Sequence, residues 1–360
     1  MKKLLLAAAV ATVGMSAAQA APTVYGKLNV TLDQVDNNKF DGKSDVTELN
    51  SNASRLGVKG EEKLTEKLAA VYQMEWEVGT DGGSADWKQR NRFLGLKWAG
   101  LGTLKAGYYD SYFKTAAGNG QDIFNDHNQL DITNMMYGED RLDNVIGFES
   151  DKKLLGGVQF NIQAQQGEST TAGATKGDAG KRDGFGDAIS ASILYDNKDL
   201  GLSLGVAGNS AVKGKYNAAG TTADVALKDV ASDAFRITAA YDFSKVGING
   251  LTLGGLWQTA EPTDDVTGYK NLQEDAYTIT AAYKVGSTPW VVKAEYANAN
   301  TTYTNASAVS FDNTIDQYGL GVDYYFNKQA RMYGVVAQQS RDWAVDEDKT
   351  VFGIGMEYNF

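Results

Sequence analysis

Over the last eleven residues, Thr350 to Phe360, apolar side chains fall on every second position: Phe352, Ile354, Met356, Tyr358 and Phe360. Small or polar residues fill the gaps. A β-strand sends successive side chains to opposite faces, so this segment has one greasy face and one wet face. The pattern recurs throughout the chain. In Val24 to Asp33, Gly26, Leu28, Val30 and Leu32 oppose Tyr25, Lys27, Asn29, Thr31 and Asp33. Val158–Gln165, Phe235–Phe243, Tyr277–Tyr283, Trp290–Tyr296 and Tyr318–Phe326 repeat it. In the Tyr277 segment Ile279 belongs to the apolar face, and its neighbour Thr280 is expected to meet water.

Sixteen such segments are counted, beginning near Val24, Arg55, Leu68, Arg90, Thr103, Asn144, Val158, Ala188, Leu200, Ala234, Leu251, Ala276, Trp290, Ile315, Ala330 and Lys349. The alternation is weakest in the fourth, fifth and fifteenth. An even count puts both ends of a closed sheet on one side, and sixteen strands enclose an aqueous channel. The mean hydropathy of −0.36 does not oppose a membrane location, because a barrel that is apolar outside and polar inside averages out as hydrophilic. Met1 to Ala20 reads as a secretory signal, with Lys2 and Lys3, an apolar run from Leu4 to Val13, and the small-residue site Ala18-Gln19-Ala20. The barrel is then expected over residues 21–360.

The connections sort by length. Short ones lie at Ala99–Gly102, Asp196–Asp199, Ser244–Gly250, Val285–Pro289 and Asn327–Gln329. Long polar ones are expected at Asp36–Asn52, Tyr109–Arg141, Gly167–Asp187, Asn209–Asp233, Thr259–Asp275, Asn298–Thr314 and Ser340–Asp348. Short turns on one side and long loops on the other mark a barrel of the bacterial outer membrane. Aromatics at segment ends, among them Tyr25, Trp76, Trp257, Trp290, Tyr324 and Phe360, suit interfacial girdles.

Composition removes other classes. The chain has no cysteine, which rules out disulfides, thiolate metal sites and thiol chemistry. Its formal charge of −11 becomes −13 once Lys2 and Lys3 are gone, which disfavours a nucleic-acid partner. No cofactor or metal site is expected. The single histidine, His127, stands beside Asp126, and adjacency alone does not make a catalytic pair. Phosphate-cradling glycine loops are absent from the pattern.

Five motifs resemble the general diffusion porins of Gram-negative outer membranes. They are Val24-Tyr25-Gly26-Lys27-Leu28; Ser54 to Glu61 leading into Gln73-Met74-Glu75-Trp76; Arg92 to Lys97 followed by Gly102 to Gly107; Arg141 to Phe148; and Tyr324 to Lys328 with the strand ending in Phe360. The resemblance implies a 16-stranded antiparallel transmembrane β-barrel, assembled as a homotrimer, whose third extracellular loop (about 109–141) folds inward and constricts the pore. It implies passive diffusion of ions and small hydrophilic solutes rather than catalysis. A channel selective for one solute is the alternative, and a barrel enzyme or adhesin a more distant one. Implied partners are outer-membrane lipid, lipopolysaccharide and, through Phe360 as an assembly signal, the barrel assembly machinery.

Selectivity in such a channel comes from charges at its narrowest section. By resemblance, Lys27, Arg55 and Arg141 form the basic wall. The family's further wall arginine after Ala106-Gly107 is replaced by Tyr108, read as lining the pore. The expected third loop carries Asp110, Asp122, Asp126, Asp131, Glu139 and Asp140 against Lys114, a net of −5 with His127 neutral. Asp122 and Asp126, in mid-loop, are the acidic lining candidates. A weak cation preference follows from this loop charge.

Overall fold

The computed structural model describes residues 21–37, 44–82, 87–118, 120–168, 184–219, 227–343 and 346–360. The expected signal, residues 1–20, lies outside them. The strands are β1 (Thr23–Asp36), β2 (Val46–Ser51), β3 (Arg55–Lys63), β4 (Leu68–Glu77), β5 (Lys88–Trp98) and β6 (Gly102–Asp110). After the third loop come β7 (Arg141–Ser150), β8 (Val158–Gln165), β9 (Ala188–Asn197), β10 (Leu202–Tyr216), β11 (Leu227–Asp242) and β12 (Leu251–Pro262). The series ends with β13 (Tyr269–Lys284), β14 (Trp290–Asn305), β15 (Ser310–Tyr325), β16 (Ala330–Asp342) and β17 (Glu347–Asn359).

Chain neighbours pair antiparallel, and β1 closes the sheet onto β17 from Lys27↔Asn359 to Asp36↔Thr350. Both β2 and β3 lie against β1, with partners Val30↔Ser51 and Lys27↔Arg55. A bulge at Asn52–Ser54, with Ala53 in the left-handed region at φ 49°, joins them into one stave. The barrel therefore has sixteen staves.

The alternation sorts side chains as the sequence reading expects. Leu28, Leu94, Ile279, Leu320 and Ile354 form part of an exposed apolar belt, which only lipid accommodates at this extent. Ile279 is 61% exposed, whereas Thr280 is 2% exposed. Thr280 does face inward, but it lies beneath the third loop rather than in open water, because its hydroxyl donates to the Gly120 carbonyl.

Several expected long loops are short. β14 runs to Asn305 and β15 resumes at Ser310, with ladder partners as far as Thr304↔Ser310. Likewise Thr259–Asp275 and Ser340–Asp348 are largely strand, β10 and β11 extend into Asn209–Asp233, and β2 occupies part of Asp36–Asn52. Beyond the lipid both faces of a strand meet water, so the apolar period stops while the backbone ladder continues. One girdle assignment also changes. Tyr25 points into the lumen, where its hydroxyl donates to Glu75 Oε2 at 2.9 Å.

The buried apolar residues are largely a lining. Phe113, Phe124, Leu130, Ile132, Met135 and Tyr137, all from the third loop, pack on the inner wall. The barrel's core is thus the loop pressed against one side of its own lumen.

Candidate functional site: the pore waist

The third loop leaves β6 at Ser111 and returns at Asp140. Its first turn is the helix α1 (Tyr112–Thr115), capped by the Ser111 hydroxyl, which accepts from the Lys114 N–H. A 3₁₀ turn at Ile132–Asn134 is capped in the same way by Asp131.

Turns such as Gly118–Asp122 and Phe124–Asp131 pair only part of the loop's backbone internally, and wall side chains supply further partners. The carbonyls of Phe113, Ala116, Gln121 and Ile123 accept from Arg236, Thr238, Thr278 and Lys293. Those of Gln129, Leu130 and Tyr137 accept from Gln339, Gln317 and Gln258 at 2.6, 2.8 and 2.9 Å. Glycines on the same wall make room. A Cβ on Gly319 or Gly321 would stand 2.7 or 2.8 Å from the Phe124 ring, and one on Gly254 would overlap the Gly120 carbonyl. At the loop's end the fully buried Arg236 donates to Glu139 at 2.5 Å and to Gln258, and stacks 4.2 Å over Phe113.

Held mainly on β9–β16, with its tip also bonded to Asn52 and Glu48, the loop leaves the outer cavity on the opposite side, toward β3–β6. Asp126 marks the narrowing. Its backbone is left-handed at φ 67°, a conformation that aspartate tolerates better than most residues, and its N–H donates to Asp131 at 2.7 Å. The carboxylate reaches across to Lys27, to Arg55 at 2.5 Å and to Arg90 at 4.0 Å. Burial alone would raise the Asp126 carboxyl, but Arg55 and Lys27 outweigh it and hold it at about 2.

Two cavities meet here and share Arg55, Asn125 and Asp126. One of 480 Å³ lies toward the long loops, and one of 470 Å³ opens toward the short turns. Ion pairs continue from the waist along the wall. Arg90 binds Glu75 at 2.7 Å and Glu77 at 3.3 Å. Arg331 binds Glu357 at 2.9 Å and Asp323 at 2.8 Å, and Lys293 joins Asp323 at 2.7 Å.

Of the sequence-derived candidates, Lys27, Arg55 and Asp126 meet in one cluster. Arg141 lies further up the wall, 3.2 Å from Asp110, and lines the outer cavity. Asp122 borders the inner cavity but is buried, and its partner is the Asn125 amide. Burial, followed by the nearby charges of Asp131 and Glu295, pushes its carboxyl well above the usual range. It is therefore not an acidic lining residue in the sense expected.

Tyr108 does not line the pore. It shares the outer face with Leu104 and Ala106, beside Arg92, whose guanidinium is 5.9 Å from its ring. The inward residue is Tyr109, 2% exposed and packed on Phe93 and Tyr112. β6 alternates without interruption here, and the extra residue of a bulge sits in β7 instead, between Val145 and Leu142.

Arg90, Arg331 and Glu357 escaped the sequence reading. Arg90 lies in the fourth stave, where an extra residue between Gln89 and Arg92, opposite Met74–Trp76 of β4, shifts the register. Arg331 lies in the fifteenth, at its turn end. Both staves are among those with the weakest alternation. His127 is buried, 3.7 Å from Asp33 and against the ring of Tyr333.

A closed antiparallel barrel with a lipid-facing belt, a polar lumen and a charged waist is a channel of the outer membrane. The chain belongs to the Gram-negative porin family, which it matches over residues 5–344. It is similar to outer membrane porin F of Xenorhabdus nematophila, at 26% identity over 94% of this chain and 91% of that one. Among solved structures it is similar in fold to the anion-selective porin from Comamonas acidovorans, with a TM-score of 0.66, 21% identity, and 94% and 99% coverage. The trimer form of the outer membrane protein OmpT of Vibrio cholerae matches with a TM-score of 0.64, 18% identity, and 95% and 100% coverage.

Proposed function

We propose that this outer-membrane porin passes ions and small hydrophilic solutes by passive diffusion, with weak cation preference, as a homotrimer. The observation that carries the reading is the waist itself. Asp126 is ion-paired with Lys27 and Arg55 where the two cavities meet, and it lines both cavities together with Arg55. Charges so close to the permeating ion govern its passage. Acids around the outer cavity, notably Glu75, Glu77, Asp110 and Asp131, support the cation preference. Asp122 and Tyr108, which the sequence reading also enlisted, do not. The trimer rests on membership of the porin family and on the likeness to a protein solved in trimer form.

Residues 1–20 act as the export signal in this reading, and residues 21–360 as one barrel in contact with outer-membrane lipid and lipopolysaccharide. Phe360 serves as an address for the assembly machinery. Purified protein in a planar bilayer is expected to give large ohmic steps in groups of three, and a salt gradient a reversal potential of the cation-selective sign. Silence would remove the channel reading for the isolated protein. A chloride-selective potential would remove the cation preference and leave the channel.

A further inference from the structure

Charge along the lumen is sorted by height. Apart from the shared Arg55 and Asp126, the outer cavity is lined by Arg90, Lys114 and Arg141 against Glu75, Glu77, Asp110, Asp131 and Glu139, a net of −2 from three positive and five negative groups. The inner cavity is lined by Lys27, Lys293, Lys328 and Arg331 against Asp122 and Glu357, a net of +2 from four positive and two negative. Arg236 matches Glu139 from behind, and Asp323 sits between Lys293 and Arg331, so each total shrinks by one and keeps its sign. The two regions touch only at the waist.

We infer that the pore is a charge-segregated junction, cation-favouring on the outer side and anion-favouring on the periplasmic side, and that it rectifies current. The inference rests on the proposed diffusion channel. Opposite fixed charges in series enrich opposite carriers within narrow, weakly screened walls. With the outer side positive, cations move inward from the acidic chamber and anions outward from the basic one. Both converge on the waist and raise the local carrier density. With the polarity reversed both are drawn away, and the waist is depleted.

Lys328 gives access to the inner chamber without disturbing the ion-pair chain. It lies on the exposed turn between β15 and β16, with no salt bridge recorded for it among the described residues. The chain has no cysteine, so Lys328→Cys creates a unique thiol. In about 0.1 M KCl, where the Debye length is ~10 Å, wild type should carry about 1.5-fold more current with the outer side positive. The ratio should fall toward unity in about 1 M KCl, where the Debye length is ~3 Å.

A membrane-impermeant sulfonated thiol reagent on K328C changes the inner charge by two and should abolish most of the asymmetry. The side from which it reacts faster fixes the orientation of the channel. R331Q should act in the same direction, and E77Q should weaken the asymmetry from the outer side. If R331Q does not assemble, K328C remains decisive. Symmetric current in wild type at low salt, or asymmetry that survives sulfonation, would overturn the inference while leaving the porin reading intact. Absence of any conductance would count against the porin reading instead.

Discussion

Asp126 concentrates the residue-scale logic of the pore: one carboxylate, set by an unusual backbone angle, bridges the loop to two cations of the wall. Its depressed pKa means that the folded state favours the ionised form. The stabilisation is fully present above the ordinary aspartate range near 3.8 and is lost as pH falls through about 2. Conductance at the waist should therefore change little between pH 7 and pH 4 on account of this group. Asp126→Asn releases Lys27 and Arg55 and should shift the reversal potential toward anions, whereas Arg55→Ser should shift it toward cations. Shifts of the same sign in both variants would refute the assignment. Lys27 and Arg55 were legible because each sits opposite an apolar neighbour in clean alternation. Tyr108 was misplaced because a motif-based correspondence set its direction in a segment whose alternation is weak. Arg90 was hidden by the bulge in its own strand.

At the scale of elements, the third loop is fastened by the wall along its length, and small residues beneath it are as important as the donors. Gly319→Val should displace Phe124, since even a Cβ at that position stands 2.7 Å from the ring. Overpacking of this kind costs about 1–3 kcal/mol and here is relieved by moving the loop into the passage. Lower single-channel conductance with retained assembly is the expected result, and an unchanged conductance would show that the wall yields instead. Ile279→Arg places a charge against lipid and should cost about 2–4 kcal/mol at mid-membrane, lowering the temperature at which the folded band disappears in a gel-shift assay. Thr280→Arg should also impair the protein, through collision with the loop at Gly120, and should alter conductance in whatever fraction assembles. Alternation alone made the strands legible. It was silent on the loop's path, because a glycine or threonine that seats a loop resembles one that merely faces water.

For the whole molecule, the seam between first and last strands is where closure is decided. Phe360 and Gly26 exchange two backbone hydrogen bonds of 3.0 Å, and the Phe360 ring lies over Gly26, where a Cβ would meet it at 2.4 Å. Deleting Phe360 removes both bonds, each worth about 0.5–1.5 kcal/mol net, together with the ring's cover over the glycine. The expected outcome is reduced outer-membrane abundance with export unaffected, and a barrel that loses its folded gel mobility at a lower temperature. Unchanged abundance and mobility would make the terminal aromatic dispensable. Closure, stave number and the two termini on one side were readable from the sequence; the extension of the staves into water was not, since the apolar signal ends with the lipid.

The loop's one-sided seating divides the barrel's inner surface into two kinds of inheritance. Along β9–β16, exchanging a glycine or a glutamine dislodges a neighbouring backbone, so changes there must arrive together. Along β3–β6, charges such as Arg55 and Arg90 face a wet passage, where one substitution re-tunes an ion pair without repacking anything. A lineage can thus drift from one solute preference to another on the open half while the seated half stands still, and sequence divergence among relatives should pile up unevenly around the circumference.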